Sequence, residues 1–176
     1  RNYFNKNLYS KDKIKLNKII NNILFSIDYK KDAFHSFSKN FQFNFKHHEL
    51  VKFKKYKSVI LIGMGGSVLG AKAIYSFCKN KIKKKFIFID NLDQLKYEKI
   101  KKNINLKNCL FIIISKSGNT LETLVNSNLL KDKINNKNTI IITENKINLL
   151  NTFAKNKKIL LVDHKDYIGG RYSVLS

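Results

Sequence analysis

The chain has 176 residues, 43% of them hydrophobic, which is enough to bury the core of one domain and argues against wholesale disorder. No apolar run approaches the ~18 residues of a membrane-spanning helix, and the polar, aromatic opening is not a signal peptide. The net charge of +23 ordinarily signals a nucleic-acid or anionic-membrane partner, but only Arg1 and Arg171 among the 35 basic residues are arginine, and Lys, Asn, Ile and Phe abound everywhere while Pro and Trp are absent. This is a chain-wide bias, and it predicts a solvated basic surface with neither nucleic acid nor membrane as partner. Arg171 and the seven glycines stand out as residues that escaped it.

Residues 1–57 hold no glycine. Ile14, Ile19, Ile20, Ile23, Leu24 and Ile27 recur at helical spacing and predict an amphipathic helix over 11–27. Phe34, Phe37, Phe41, Phe43 and Phe45 follow. Interleaved with lysine, such a row could stack bases, but phenylalanines in a connector more often tie it to a core. His47 and His48 are adjacent and point apart, without a third ligand near them in sequence, so no metal site is expected. Arg rather than Met at position 1 suggests a processed chain or a piece of a longer one.

From residue 58 the rhythm changes. Apolar, β-branched runs at 58–62, 86–90, 109–115, 139–143 and 158–162 read as strands. Helices are expected at 67–77, 93–102, 120–133 and 146–155. Strands apolar on both faces belong in a covered parallel sheet. The alternation predicts an α/β fold, a three-layer α/β/α sandwich with a doubly wound five-stranded sheet. Cys78 and Cys109 are too few for a disulfide framework, and a reducing cytoplasm is the default.

In such a sheet ligands bind beyond the carboxyl ends of the strands, where the strand order reverses, here between the first and third strands. Both end in Gly/Ser-rich stretches. The first, Gly63-Met64-Gly65-Gly66-Ser67-Val68-Leu69-Gly70, resembles a dinucleotide fingerprint, with Asp90 placed to meet a ribose. Val68 occupies the position of the third glycine, and alone the stretch could be a tight turn. The second is Ser115-Lys116-Ser117-Gly118-Asn119-Thr120-Leu121-Glu122-Thr123. Its hydroxyls precede a helix whose amino terminus favours an anion, a combination suited to a phosphate monoester. Asn119 with Glu122 could also be a capping box, which leaves Glu122 free to face a ligand.

The 115–123 stretch is similar to the sugar-phosphate loop of sugar isomerase (SIS) domains, and 63–70 to its companion G-x-G-G-S-x-L-G loop. Gly169-Gly170-Arg171-Tyr172-Ser173-Val174-Leu175-Ser176 resembles the G-G-R-x-S-x-x-S segment of the glucose-6-phosphate isomerase family. The resemblance spans 58–176 and is compatible with a helical lead-in over 1–57. It implies a SIS domain over 58–165 and, over 166–176, the start of a connection to a second SIS domain.

The resemblance implies that Gly66, Ser67, Ser115, Lys116, Ser117 and Thr120 hold the substrate phosphate. Glu122 would lie near the sugar and Arg171 would stabilise enediolate charge. The reaction moves a proton between C1 and C2 of a hexose 6-phosphate and takes no metal or redox cofactor. The family's glutamate base, ring-opening histidine and late lysine fall in the second domain, beyond Ser176, so the chain is expected to be an incomplete amino-terminal portion, inactive alone and homodimeric when whole. Asp163, His164 and Asp166 form a tempting acid–base cluster, but their spacing does not match that base. The other readings are a SIS module that senses a phosphosugar without turning it over, and a polyanion binder driven by charge.

Overall fold

The computed structural model describes residues 6–29 and 33–169. The chain divides into two compact units, the first ending at Gln42 and the second beginning at Phe43. In the first, α1 (Lys6–Asp28) is followed by a short 3-10 helix (Ala33–Phe37). His35 is buried here, its Nδ1 2.9 Å from the Ile27 carbonyl and its ring edge-on to Phe41. Ile14, Leu16, Leu24 and Phe25 of α1 remain more than half exposed.

The second unit opens with α2 (His47–Val51). The sheet then forms from β1 (Ser58–Gly63), β2 (Lys85–Ile89), β3 (Cys109–Ile114), β4 (Thr139–Thr143) and β5 (Leu160–Asp163). Between them run α3 (Gly66–Phe77), α4 (Gln94–Asn103), α5 (Leu121–Leu129) and α6 (Leu149–Asn156). All strand pairs are parallel, in the order β2-β1-β3-β4-β5. The order reverses between β1 and β3, at the expected switch.

Alternation along each strand sends residues to two faces. Ile60, Ile62, Phe111, Ile113 and Ile141 pack with Ile100 of α4, Leu150 and Ala154 of α6, and Leu124 of α5. Val59, Leu110, Ile140 and Val162 face the other way and are covered by Phe45, Leu50, Phe53 and Tyr56. Tyr75 of α3 tilts over Phe86 and Phe88 on β2. Both faces are thus roofed, which is why the strands read as unbroken apolar runs.

Residues 43–57 supply a cover for the sheet, and the compact units divide after Gln42. The phenylalanine row splits accordingly: Phe41 meets His35, while Phe45 joins the sheet cluster with Phe43 stacked on it. Helix α5 ends at Leu129, short of the expected 133. Leu130 and Ile134 are both 2% exposed, so the apolar spacing continues as packing after the helix has turned out.

Candidate functional site

The two Gly/Ser-rich loops leave neighbouring strands at the same level, with Gly63 paired to Ile114. Glycine is required there for closeness: a Cβ on Gly63 would lie 2.9 Å from the Ile114 carbonyl oxygen and 3.2 Å from Ser67 Cβ. Helix α3 starts immediately at Gly66, with Gly65 as its N-cap, so Gly66 and Ser67 occupy a tight first turn at the positive end of the helix, where the Ser67 N–H donates to the Met64 carbonyl at 3.1 Å and the Val68 N–H to the Gly65 carbonyl at 3.0 Å.

In the second loop three hydroxyls converge. Ser115 is 2% exposed, and its Oγ lies 2.9 Å from Thr120 Oγ1. Ser117 Oγ is 3.5 Å from the same Thr120 oxygen. The Gly118 N–H donates to Ser115 Oγ at 3.1 Å, and the Asn119 N–H to Ser117 Oγ at 3.3 Å. Thr120 is the N-cap of α5, yet its hydroxyl makes no cap bond. It turns to the serines, and the first-turn N–H groups of α5 keep their positive pole for an incoming anion.

The loop is held from below by α6. Gly118 has φ +68, and a Cβ there would fall 1.9 Å from Asn148 Oδ1. Asn148 is the N-cap of α6, accepting from the Asn151 N–H at 2.8 Å, and its Nδ2 donates to Thr143 Oγ1 and to the carbonyls of Glu144 and Lys146. Asn119 does not cap the helix that follows it. Its Oδ1 accepts from the Leu149 N–H at 3.0 Å, in the first turn of α6. The Leu150 N–H donates to the Gly118 carbonyl at 3.2 Å. Asn148 escaped the sequence reading, although an asparagine just before Leu149-Leu150 is itself a cap signal.

The Lys116 ammonium donates to the carbonyls of Asp166 at 2.7 Å and Ile168 at 2.8 Å, and lies 3.6 Å from Glu144 Oε1. Glu122 is half-buried in the first turn of α5. Arg171 lies outside the described residues, as does the motif from Gly170 onward. Asp90 is bound by Lys72 and by Lys96, the latter at 3.0 Å. Burial pushes its carboxyl up, but hydrogen bonds and charge from the two ammoniums outweigh this and hold it below the usual aspartate range. Both carboxylate oxygens are therefore engaged by lysine rather than offered to a ribose.

The acid–base cluster separates into structural parts. Asp163 Oδ1 accepts from the Asn145 N–H at 2.8 Å. His164 is buried, with Nδ1 2.9 Å from the Lys165 carbonyl, and Asp166 contributes its carbonyl to Lys116. Of the two cysteines, Cys109 is buried at the start of β3, where burial raises its thiol pKa.

The family model of phosphoglucose isomerase matches residues 13–176. The glucose-6-phosphate isomerase of Borrelia garinii is 41% identical over 137 residues, which is 70% of this chain and 25% of the relative. That of Methanocaldococcus jannaschii is 48% identical over 83 residues, 47% of this chain and 20% of the relative. Among solved structures, a glucose-6-phosphate isomerase from Chlamydia trachomatis aligns with a TM-score of 0.62 at 27% identity, over 72% of this chain and 25% of that one. A hypothetical protein from Thermus thermophilus aligns with a TM-score of 0.73 at 19% identity, over 97% of this chain and 43% of that one, a likeness of fold. The chain spans about a quarter of the length of the first curated relatives it matches.

Proposed function

The chain belongs to the phosphoglucose isomerase family, and from that premise we propose that it carries the phosphate grip of a cytoplasmic glucose-6-phosphate isomerase serving glycolysis and gluconeogenesis. The observation that supports this most directly is the convergence of Ser115, Ser117 and Thr120 at the amino end of α5, beside the switch in strand order. Three hydroxyls and a helix terminus suit the non-bridging oxygens of a hexose 6-phosphate. Gly66 and Ser67 approach the same ligand from the first loop.

Interconverting glucose 6-phosphate and fructose 6-phosphate requires a proton to leave one carbon and arrive at the next through an enediolate. In this proposal Arg171 supplies fixed positive charge to the oxygen that gains electron density, a task suited to a group that stays protonated. Glu122, in the first turn of α5, faces the sugar. The base that takes the carbon-bound proton comes from sequence the relatives carry outside the matched span, and the working enzyme is a homodimer. No step calls for a metal or redox cofactor.

The test is calorimetric titration of fructose 6-phosphate into the wild-type chain and into Ser117→Ala/Thr120→Ala. Each hydrogen bond to a charged group contributes about 1.5–3 kcal/mol, so the double variant should bind about two to four orders of magnitude more weakly. An unchanged affinity would place the phosphate elsewhere.

A further inference from the structure

Lys116 sits inside the proposed phosphate loop, yet its ammonium is committed to another part of the chain. Two of its donors go to the Asp166 and Ile168 carbonyls, at 2.7 and 2.8 Å, and Glu144 Oε1 stands 3.6 Å away. Its own carbonyl is fixed as well, accepting from the Glu144 N–H at 3.0 Å and lying 3.3 Å from Thr143 Oγ1, a donor to it. The side chain is 30% exposed and that of Glu144 is 14% exposed. The Lys116 ammonium shares Glu144 with Lys146, whose Nζ lies 3.1 Å from Oε2, but two of its donors are filled, and moving it to a phosphate would strip two carbonyls of their partner.

The segment it holds is also anchored at Ile168. The Ile168 N–H donates to the Lys165 carbonyl at 3.3 Å, and the Ile168 side chain is 1% exposed. Three residues further along the chain comes Arg171, so whatever fixes Ile168 limits the reach of that guanidinium.

We propose that Lys116 is a positioning residue rather than a phosphate ligand: it clamps the 166–168 backbone to the loop whose hydroxyls grip the phosphate, and so sets the lead-in to Gly169-Gly170-Arg171. The inference rests on the phosphosugar reading of that loop. It assigns the phosphate to hydroxyls and helix N–H groups alone, and makes the lysine the link between the phosphate end of the ligand and the residue assigned to its sugar end.

Three measurements on the 176-residue chain test this. Inorganic phosphate titrated into the wild type should shift the Ser117 and Gly118 amide resonances and leave the Lys116 Nζ resonance in place. Lys116→Met should keep its affinity for inorganic phosphate within about twofold, lose at least threefold for fructose 6-phosphate, and exchange the Ile168 amide at least tenfold faster. Lys116→Arg, which retains donors for both carbonyls, should restore slow exchange and sugar-phosphate affinity. A shift of the Nζ resonance on adding phosphate would overturn the proposal in the wild type, whether or not the Met variant folds. So would a tenfold loss of inorganic phosphate binding in Lys116→Met with Ile168 exchange unchanged. If neither phosphate nor fructose 6-phosphate moved any loop resonance, the phosphosugar reading itself would fail, and the exchange rates would still decide what Lys116 holds.

Discussion

Replacing Gly118 with Ala puts a methyl carbon 1.9 Å from Asn148 Oδ1, at a backbone angle of φ +68. The left-handed conformation and displacement of a helix cap together should cost about 2–4 kcal/mol, read from urea denaturation, with loss of phosphate affinity because Ser117 and Thr120 move with the turn. Asp90 offers a test through pH. Its folded pKa is lowered, because Lys72 and Lys96 together outweigh burial. Its contribution is therefore fully present above the unfolded value of about 3.9 and is lost as pH falls through the lower folded value. Wild type should exceed Asp90→Asn in stability at pH 7, and the gap should close as pH falls from about 5 through the lowered folded value in thermal melts. A constant gap would mean that the pair acts by packing, without ionic coupling. The hydroxyls around Thr120 stood out in the sequence because they cluster with a glycine between a strand and a helix. The partners of Lys116 and Asn119 were not, since the lysine reaches 52 residues along the chain and Asn119 reaches 30, and no local pattern encodes such a contact.

At the scale of elements, α6 is the foundation on which the phosphate loop stands. Asn148 caps α6 while bracing Thr143, Glu144 and Lys146. Asn148→Ala should destabilise the protein by about 1–3 kcal/mol. It should also relieve most of the clash in Gly118→Ala, so the double variant should be less than additive in a urea-denaturation cycle. Strict additivity would show that the two positions do not touch in solution. The strands were readable because both faces of the sheet are covered, leaving no polar positions to blur them. Helix ends were less so. The expected start at 146 precedes the true cap at Asn148, since helix-forming lysine at 146 gives no signal that its carbonyl is taken by that cap. The 120–133 expectation overran α5 because Leu130 and Ile134 keep a helical spacing while packing from a turn.

At the scale of the whole molecule, the switch in strand order was foreseeable from the succession of strands and loops, whereas the division after Gln42 was not, because the cover formed by Phe45, Leu50, Phe53 and Tyr56 has no periodic signature of its own. The surplus of lysine gives a separate prediction. Lys79, Lys81 and Lys83 are exposed, whereas neighbouring Lys84 donates to the carbonyls of Lys54 and Tyr56 and should be left intact. Changing the three exposed lysines to Gln should weaken polyphosphate binding and flatten its salt dependence, with fructose 6-phosphate affinity unchanged in calorimetry at two salt concentrations. A parallel loss of both would tie the basic surface to the site. The sheet topology also dictates an order of assembly on the ribosome. β1 meets β2 first, as Val59 pairs with Phe86, and its other edge stays open until Leu110 emerges. At roughly 5–20 residues per second that wait lasts seconds, with a bare apolar edge available to other nascent chains. Like-charged chains repel one another throughout that interval, so the lysine surplus, spread along the whole chain, opposes association of a sheet whose centre is completed late.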